Sequence, residues 1–194
     1  FFQRPTPLAP QSQTFEAGGR IDFEGNELAP LDEDDVRAAA RSLKTKEVSS
    51  IAVVYLFSYM NPSHERRTRE IILEEWPEAH VSLSSDVLPR IREWARMSTT
   101  LLNAYLEPVL VQYIGDLSDG LDDGGVKTQQ RFLMQSNGGV MPFKAAVAGA
   151  KTVHTLFSGP AAGAQAAAYL AAEDAKKGLV TLDMGGTSLS LIHI

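Results

Sequence analysis

Residues Ile51–Phe57 read Ile-Ala-Val-Val-Tyr-Leu-Phe, an apolar run rich in β-branched residues with no charge to turn toward water. Such a strand must be covered on both faces, which is the condition of a buried parallel strand rather than a half-exposed hairpin. Asn61-Pro62-Ser63 then opens a helix carrying Ile71, Ile72 and Trp76, Pro77 stops it, and His80–Ser84 is a second short strand. Strand, helix, strand at these lengths is a βαβ unit, so the sequence predicts an α/β fold with a parallel sheet. Everything else has to fit around that unit.

Upstream, Thr14, Phe15, Ile21 and Phe23 surround Gly18-Gly19. That pattern predicts a short irregular hairpin or bulged strand, with the next turn at Gly25-Asn26. Asp32-Glu33-Asp34-Asp35 follows, then Val36, Ala39, Ala40 and Leu43 at helical spacing. The four acids could hold a cation, or could complement the positive end of the helix dipole. The second reading is favoured, because helix starts select acids with or without a ligand. His64-Glu65 has the opening of a zinc-protease helix, but position 68 is Thr and the second histidine ligand is missing. Helix capping is expected there, with Glu65 and Arg69 as an i,i+4 pair.

After Pro89 the pattern changes. Trp94, Met97, Leu101, Tyr105, Val109 and Tyr113 recur every three or four residues. They predict a long amphipathic helix, kinked or restarted at Pro108 and ending in the Gly/Asp-rich stretch Asp116–Gly125 as a loop. Arg131–Gln135 reads as a short strand, Ser136–Gly139 as a turn, and Ala145–Ala150 as a small helical piece. Gly159–Ala172 reads as an Ala-rich helix, tightly packed through its small side chains, leading to a last strand over Leu179–Met184. A domain boundary is expected near Ile91–Arg96, with few contacts across it. Arg90, Arg92 and Arg96 could bind an anionic substrate, although a solvated helix flank is favoured.

Composition removes several functions. The 194 residues carry 18 Lys+Arg against 24 Asp+Glu, a formal charge of -6, with 8% aromatics. Binding to nucleic acid draws mainly on Lys and Arg against phosphates, so no nucleic-acid partner is expected. Zero cysteines exclude a disulfide scaffold, a Cys nucleophile and a thiolate metal site. No apolar run approaches the ~20 residues of a membrane helix, and the N-terminus lacks a signal-peptide pattern. The expectation is a soluble cytoplasmic globular chain with no membrane partner. Pro5, Pro7 and Pro10 suggest a connector at one end, and a strand entering a turn without a following partner at the other. The sequence therefore reads as a fragment.

Chemistry concentrates at Leu182-Asp183-Met184-Gly185-Gly186-Thr187-Ser188, after the last strand. Two glycines let backbone amides approach a phosphate, a hydroxyl adds a donor, and an Asp at a strand end can hold Mg²⁺ directly or through water. An ordinary β-turn is the competing reading. It is not a Walker P-loop, since the Lys and its spacing are absent. Asn137, Gly138 and Gly139 could present donors to a cleft or form a plain hairpin turn. Ser158 lacks a Gly-x-Ser-x-Gly elbow and is not expected to be a nucleophile. His154, near the candidate site, is expected to be a half-buried strand residue.

The order Ser158-Gly159-Pro160-Ala161-Ala162-Gly163, small-residue helix, strand, Asp-x-Gly-Gly-Thr resembles one half of the actin/sugar-kinase/heat-shock-chaperone ATPase superfamily. Further motifs run in order along nearly the whole chain. They are Asn61-Pro-Ser-His-Glu65, Val81–Ser85, Leu88-Pro89 with Ile91-Arg-Glu93, Ser98–Tyr105, Gln135–Gly139, Phe157–Gly163 and Asp183–Ser188. Together they resemble the hydantoinase A/oxoprolinase family.

That resemblance implies a fragment of an actin-like (ribonuclease-H-like) two-lobed ATPase fold. It also implies ATP-dependent opening of a cyclic amide, a hydantoin or 5-oxoproline ring, through phosphorylation of the ring carbonyl oxygen. ATP and Mg²⁺ or another divalent metal would be the cofactors, a small cyclic imide or amide the substrate, and a hydantoinase B-type subunit a possible partner. A subunit of an acetone- or acetophenone-type carboxylase and a non-catalytic actin-like scaffold are the alternatives.

On the same resemblance Asp183 takes the catalytic and metal role, and Gly185, Gly186 and Thr187 the phosphates. Asn137, Gly138, Gly139, Ser158 and Gly159 complete the cofactor site. Chaperones of the superfamily often carry a carboxylate just before the proline. Here that slot is Gly159, which suits phosphorylation of a substrate better than simple ATP hydrolysis.

The expected organisation is residues 1–91 as the C-terminal part of the family's N-terminal domain and 92–188 as the start of its ATPase core. The family's first phosphate hairpin is expected upstream of Phe1. Residues 189–194, Leu-Ser-Leu-Ile-His-Ile, depart from the family pattern. They match what one reading frame of a common sequencing-library transposon end would encode, and are read as translated adapter in which His193 has no role.

Overall fold

The computed structural model describes residues 6–148, 151–171, 178–185 and 189–193. The parallel unit forms as the pattern requires. Strands β3 (Ser50–Val53) and β4 (His80–Leu83) pair in parallel, Ile51 opposite Val81 and Val53 opposite Leu83, with helix α2 (Ser63–Glu75) between them in sequence. Strand β3 is shorter than its apolar run, stopping at Val53. Beyond it, side chains take the place of strand partners. The Tyr55 amide donates to the Glu65 carboxylate at 3.1 Å, and the Tyr55 carbonyl accepts from Arg96 Nη2 at 2.5 Å.

Helix α1 (Glu33–Thr45) is capped by Asp32, whose Oδ1 accepts from the amides of Asp34 and Asp35, both at 3.1 Å. The acid cluster is thus a helix start, and among the described residues no group of His, Cys, Asp or Glu suited to a metal ion is present. Val36, Ala40 and Leu43 of α1 pack with Ile51, Val53, Ile71, Ile72, Val81 and Leu83 as the first apolar core. Strands β1 (Arg20–Ile21) and β2 (Glu27–Ala29) form a small irregular antiparallel ribbon beside it. Gly19 has a φ of +139°, and a Cβ there would lie 3.2 Å from the His64 ring. The backbone therefore closes on His64, whose Nε2 is 2.7 Å from Glu27 Oε1.

The expected Glu65–Arg69 pair does not form. Arg69 binds Asp86 at 2.9 Å, while Glu65 is fully buried and accepts from Ser84 Oγ at 2.5 Å and the Ser85 amide at 2.8 Å. Glu65 thereby meets the first turn of helix α3 (Ser84–Val87). The Ser85 amide at the start of α3 holds the Glu65 carboxylate, and half-buried Arg69 turns to Asp86 instead.

Helix α4 (Glu93–Asp123) runs 31 residues, about 46 Å at 1.5 Å per residue, continuing through the stretch expected to be a loop. Its burial is the reverse of its apolar pattern. Arg96, Thr100, Asn103, Ala104, Glu107 and Ile114 are buried, whereas Trp94 is 77% and Val109 73% exposed. The cause lies in what the helix covers. Beside β3 and β4 it meets the Tyr55 carbonyl and the hydroxyls of Ser50 and Ser82, which a polar face can satisfy. Arg96, expected on a solvated flank, is fully buried, with its guanidinium carbon 5.5 Å from the Tyr59 ring centre; Arg90 and Arg92 are exposed. Pro108 sits inside the helix without breaking it.

A second, smaller apolar core gathers Ile114, Met141 and Ala146, flanked by Leu110, Leu117, Leu133 and Phe143. It joins α4 to the hairpin of β5 (Phe132–Met134) and β6 (Val140–Pro142) and to helix α5 (Phe143–Val147). One apolar core draws on residues up to Leu83 and the other on residues from Leu110, and the expectation of few contacts across Ile91–Arg96 is not met, since the first half of α4 is hydrogen-bonded into the β3–β4 sheet. Tight packing is expected of helix α6 (Ser158–Ala171), yet none of its residues is buried. Strand β7 (Val180–Met184) pairs antiparallel with β8 (Leu189–His193), Met184 opposite Leu189. The last strand therefore does have a partner, contrary to expectation: Leu-Ser-Leu-Ile-His supplies enough extended backbone to complete the hairpin.

Candidate functional site

The turn between β5 and β6 is a closed unit. The Gly138 amide donates to the Gln135 carbonyl at 3.0 Å, the Gln135 amide to the Gly139 carbonyl at 2.8 Å, and the Gly139 amide to Asn137 Oδ1 at 2.9 Å. The amides of Gly138 and Gly139 are thus engaged within the turn. Gly138 has a φ of +81°, and a Cβ there would lie 2.5 Å from Gln165 Nε2 of α6. The Gln165 side chain could swing away from such a Cβ, so it is the positive φ that calls for glycine here. Between the turn and α6 lies a cleft of about 260 Å³, lined by Ser136, Asn137 and Gly138 on one side and by Ala161, Ala164, Gln165 and Ala168 on the other. The small residues of α6 leave room for this cleft.

Ser136 joins the turn to the start of α6. Its amide and its Oγ both donate to the His154 carbonyl, at 2.6 and 2.7 Å, and its Oγ accepts from the Phe157 amide at 2.9 Å. Ser158 and Gly159 begin α6 directly after this tie, and neither lines the cleft. His154 is half-buried, as expected, but in the 3-10 turn Thr152–Thr155 rather than a strand. No local pattern singles out Ser136 for this task, because its partners lie 18 and 21 residues away.

Asp183 lies exposed on β7, opposite Ser190, and Gly185 follows it, exposed. Gly186 and Thr187, the other expected phosphate ligands, are outside the described residues, as are Gly149, Ala150 and Ala172. A lone exposed carboxylate fits Mg²⁺ carried by a nucleotide, because that ion keeps most of its water and takes one or two carboxylates plus phosphate oxygens. It does not make a cage for a free ion. No helix among the described residues is long and apolar enough to cross a membrane.

A parallel βαβ unit, a glycine-turn cleft and a hairpin bearing Asp-x-Gly make this an α/β segment. The chain belongs to the hydantoinase/oxoprolinase family: that family's profile matches residues 96–194, and the profile of its N-terminal region matches residues 1–76. It is 36% identical over 184 residues to the caprolactamase alpha subunit of Pseudomonas jessenii, covering 95% of this chain and 26% of that one. The acetophenone carboxylase gamma subunit of Aromatoleum aromaticum is 35% identical over 193 residues, covering 97% and 26%. Among solved structures, nucleotide-free acetone carboxylase superposes with a TM-score of 0.86 at 32% identity, over 99% of this chain and 27% of that one. The fold is accordingly that of a piece of the family's actin-like architecture. The chain spans about a quarter of the length of these relatives.

Proposed function

We propose that this chain is the nucleotide-side segment of an ATP-dependent enzyme that opens a cyclic amide. An unstrained amide is a poor electrophile. Moving the γ-phosphoryl group onto the ring carbonyl oxygen makes the ring carbon accept water; the C–N bond then opens, and a second water releases phosphate. Phosphoryl transfer asks mainly for positioning and charge stabilisation. In this reading Asp183 anchors the nucleotide's magnesium, which would neutralise phosphate charge. Gly185, Gly186 and Thr187 face the phosphates, and Asn137–Gly139 with Ser158 and Gly159 form the opposite wall. A second subunit supplies the rest of the hydrolytic site.

The observation that carries the reading is the β7–β8 hairpin, with Asp183 near the end of β7 and Gly185 just past it, in a chain 36% identical to a caprolactamase subunit. A carboxylase subunit is the second reading, favoured by the near-equal 35% identity to the acetophenone enzyme. The test uses a polypeptide carrying this segment at the length of its relatives, supplied with the partner subunit. ATP hydrolysis stimulated by caprolactam, 5-oxoproline or hydantoin supports ring opening, and stimulation only by a ketone with bicarbonate supports carboxylation. Asp183→Ala should abolish turnover. The 194-residue chain alone should show no micromolar Mg-ATP binding by calorimetry, because the amides of Gly138 and Gly139 are already engaged within their turn and only the hairpin after Asp183 has donors to offer.

A further inference from the structure

A buried carboxamide links the parallel sheet to both walls of the cleft. Asn103, fully buried on α4, accepts at Oδ1 from Thr152 Oγ1 at 2.9 Å and from the Val153 amide at 3.0 Å. Its Nδ2 donates to Ser82 Oγ at 3.0 Å, and Ser82 Oγ donates to Glu107 Oε2 at 2.6 Å. The amide orientation is fixed by chemistry, since the reverse flip would set Nδ2 against the Val153 N–H, donor to donor. On the far side, the 3-10 turn that begins at Thr152 carries the His154 carbonyl, which accepts both donors of Ser136. Ser136 then receives the Phe157 amide. An unbroken path therefore runs from β4 through Asn103 to the Asn137–Gly138 turn and to the start of α6.

We infer that Asn103 is a positioning residue, setting where the Asn137–Gly138 turn and the start of α6, the wall assigned above to stand opposite Gly185, sit relative to the β3–β4 sheet. This rests on the nucleotide reading given above. Its separation of 49 residues from Thr152 means that the tie is tertiary, and no local element supplies it. Small displacements at such a site are costly: about 1 Å of misplacement can reduce turnover by ~100-fold.

Three variants test it in the relative-length polypeptide. Asn103→Leu, which removes every side-chain polar contact at similar volume, should lower kcat by roughly 10- to 100-fold while KM for the cyclic amide changes little. Asn103→Asp combined with Glu107→Gln keeps the acceptor for Thr152 and Val153 without burying two carboxylates side by side, and should restore most of kcat. Ser50→Ala loosens α4 from the sheet without touching Thr152, and should lower Tm with kcat retained. In the 194-residue chain, Asn103→Leu should speed hydrogen exchange at the amides of Ser136, Val153 and Phe157 while those of the β3–β4 sheet stay protected. Unchanged exchange at those three amides, or equal kcat losses in Asn103→Leu and Ser50→Ala, would overturn the inference.

Should Asn103→Leu fail to fold, the double variant Thr152→Val with Asn103→Ala takes its place, removing the hydroxyl and the carboxamide together so that neither Thr152 Oγ1 nor the Val153 amide keeps its Asn103 partner. It should speed exchange at Ser136 and Phe157 and lower kcat in the same direction; parent-like exchange and kcat in that variant would overturn the inference equally. A parent enzyme without ATP-dependent turnover overturns the nucleotide reading instead, and the exchange result still judges the coupling.

Discussion

Ser50 Oγ lies 2.6 Å from the carbonyl oxygen of Ala104. That oxygen is the helical acceptor which residue 108 would normally satisfy, and residue 108 is a proline with no amide hydrogen. The sheet supplies the donor that the helix lacks. Ser50→Ala should therefore destabilise the chain by about 1–3 kcal/mol in urea denaturation. In a Pro108→Ala background the helix can restore its own bond, and the Ser50→Ala cost should shrink. Equal costs in the two backgrounds would contradict the compensation.

Arg67 grips Glu33 at two points, Nε to Oε1 at 2.7 Å and Nη2 to Oε2 at 3.0 Å. With Arg37 also bound, the Glu33 carboxyl is held down to about 2. A carboxyl depressed on folding stabilises above its unfolded value of 4.5 and loses that contribution as pH falls toward 2. Thermal melts between pH 6 and pH 2 should show this decline reduced in Glu33→Gln. The pair is solvent-screened, so raising the salt concentration should shrink the difference between parent and variant.

Glu107 behaves in the opposite sense. Burial pushes its carboxyl up, against the lowering effect of Ser82 Oγ and the nearby His80. A carboxyl raised on folding binds its proton more tightly in the native state, so its charged form costs stability above the raised value. Glu107→Gln, which keeps an acceptor for Ser82, should raise stability at pH 7 and leave it nearly unchanged at pH 4. Lower stability at pH 7 would mean that the negative charge is needed there.

The exposed stripe of α4 should contribute little to folding of this chain. Replacing Trp94 or Val109 with Gln should change the unfolding free energy by no more than about 0.5 kcal/mol. Ile114→Ala, on the buried side, should cost about 2–5 kcal/mol. Chemical denaturation of the three variants checks the contrast, and a large loss at Trp94 would show that the stripe is packed after all.

The β3–α2–β4 unit is legible in the sequence because an uninterrupted apolar run, a helix and a second strand leave few arrangements. The Asp32 cap is legible because caps are local. The buried side of α4 is not, since periodicity finds a stripe but not the surface it faces. Arg96, Asn103 and Glu107 are buried because Tyr55, Ser82 and Thr152 meet them from 21 to 49 residues away. The site divides in the same way. The turn at Asn137–Gly139 can be read from glycine spacing, while the Ser136 tie needs three segments assembled.

The way α4 covers the sheet also bears on where this chain can be cut. The first apolar core ends in sequence before Ile91, and a truncation designed from hydrophobic contacts alone would stop there. Such a piece would leave the Tyr55 carbonyl without Arg96, the Ser50 hydroxyl without Ala104, and the Ser82 hydroxyl without both Asn103 and Glu107. A piece that keeps these partners extends past Pro108, retaining half of a helix whose other half belongs to its neighbour, and it still parts Asn103 from Thr152 and Val153.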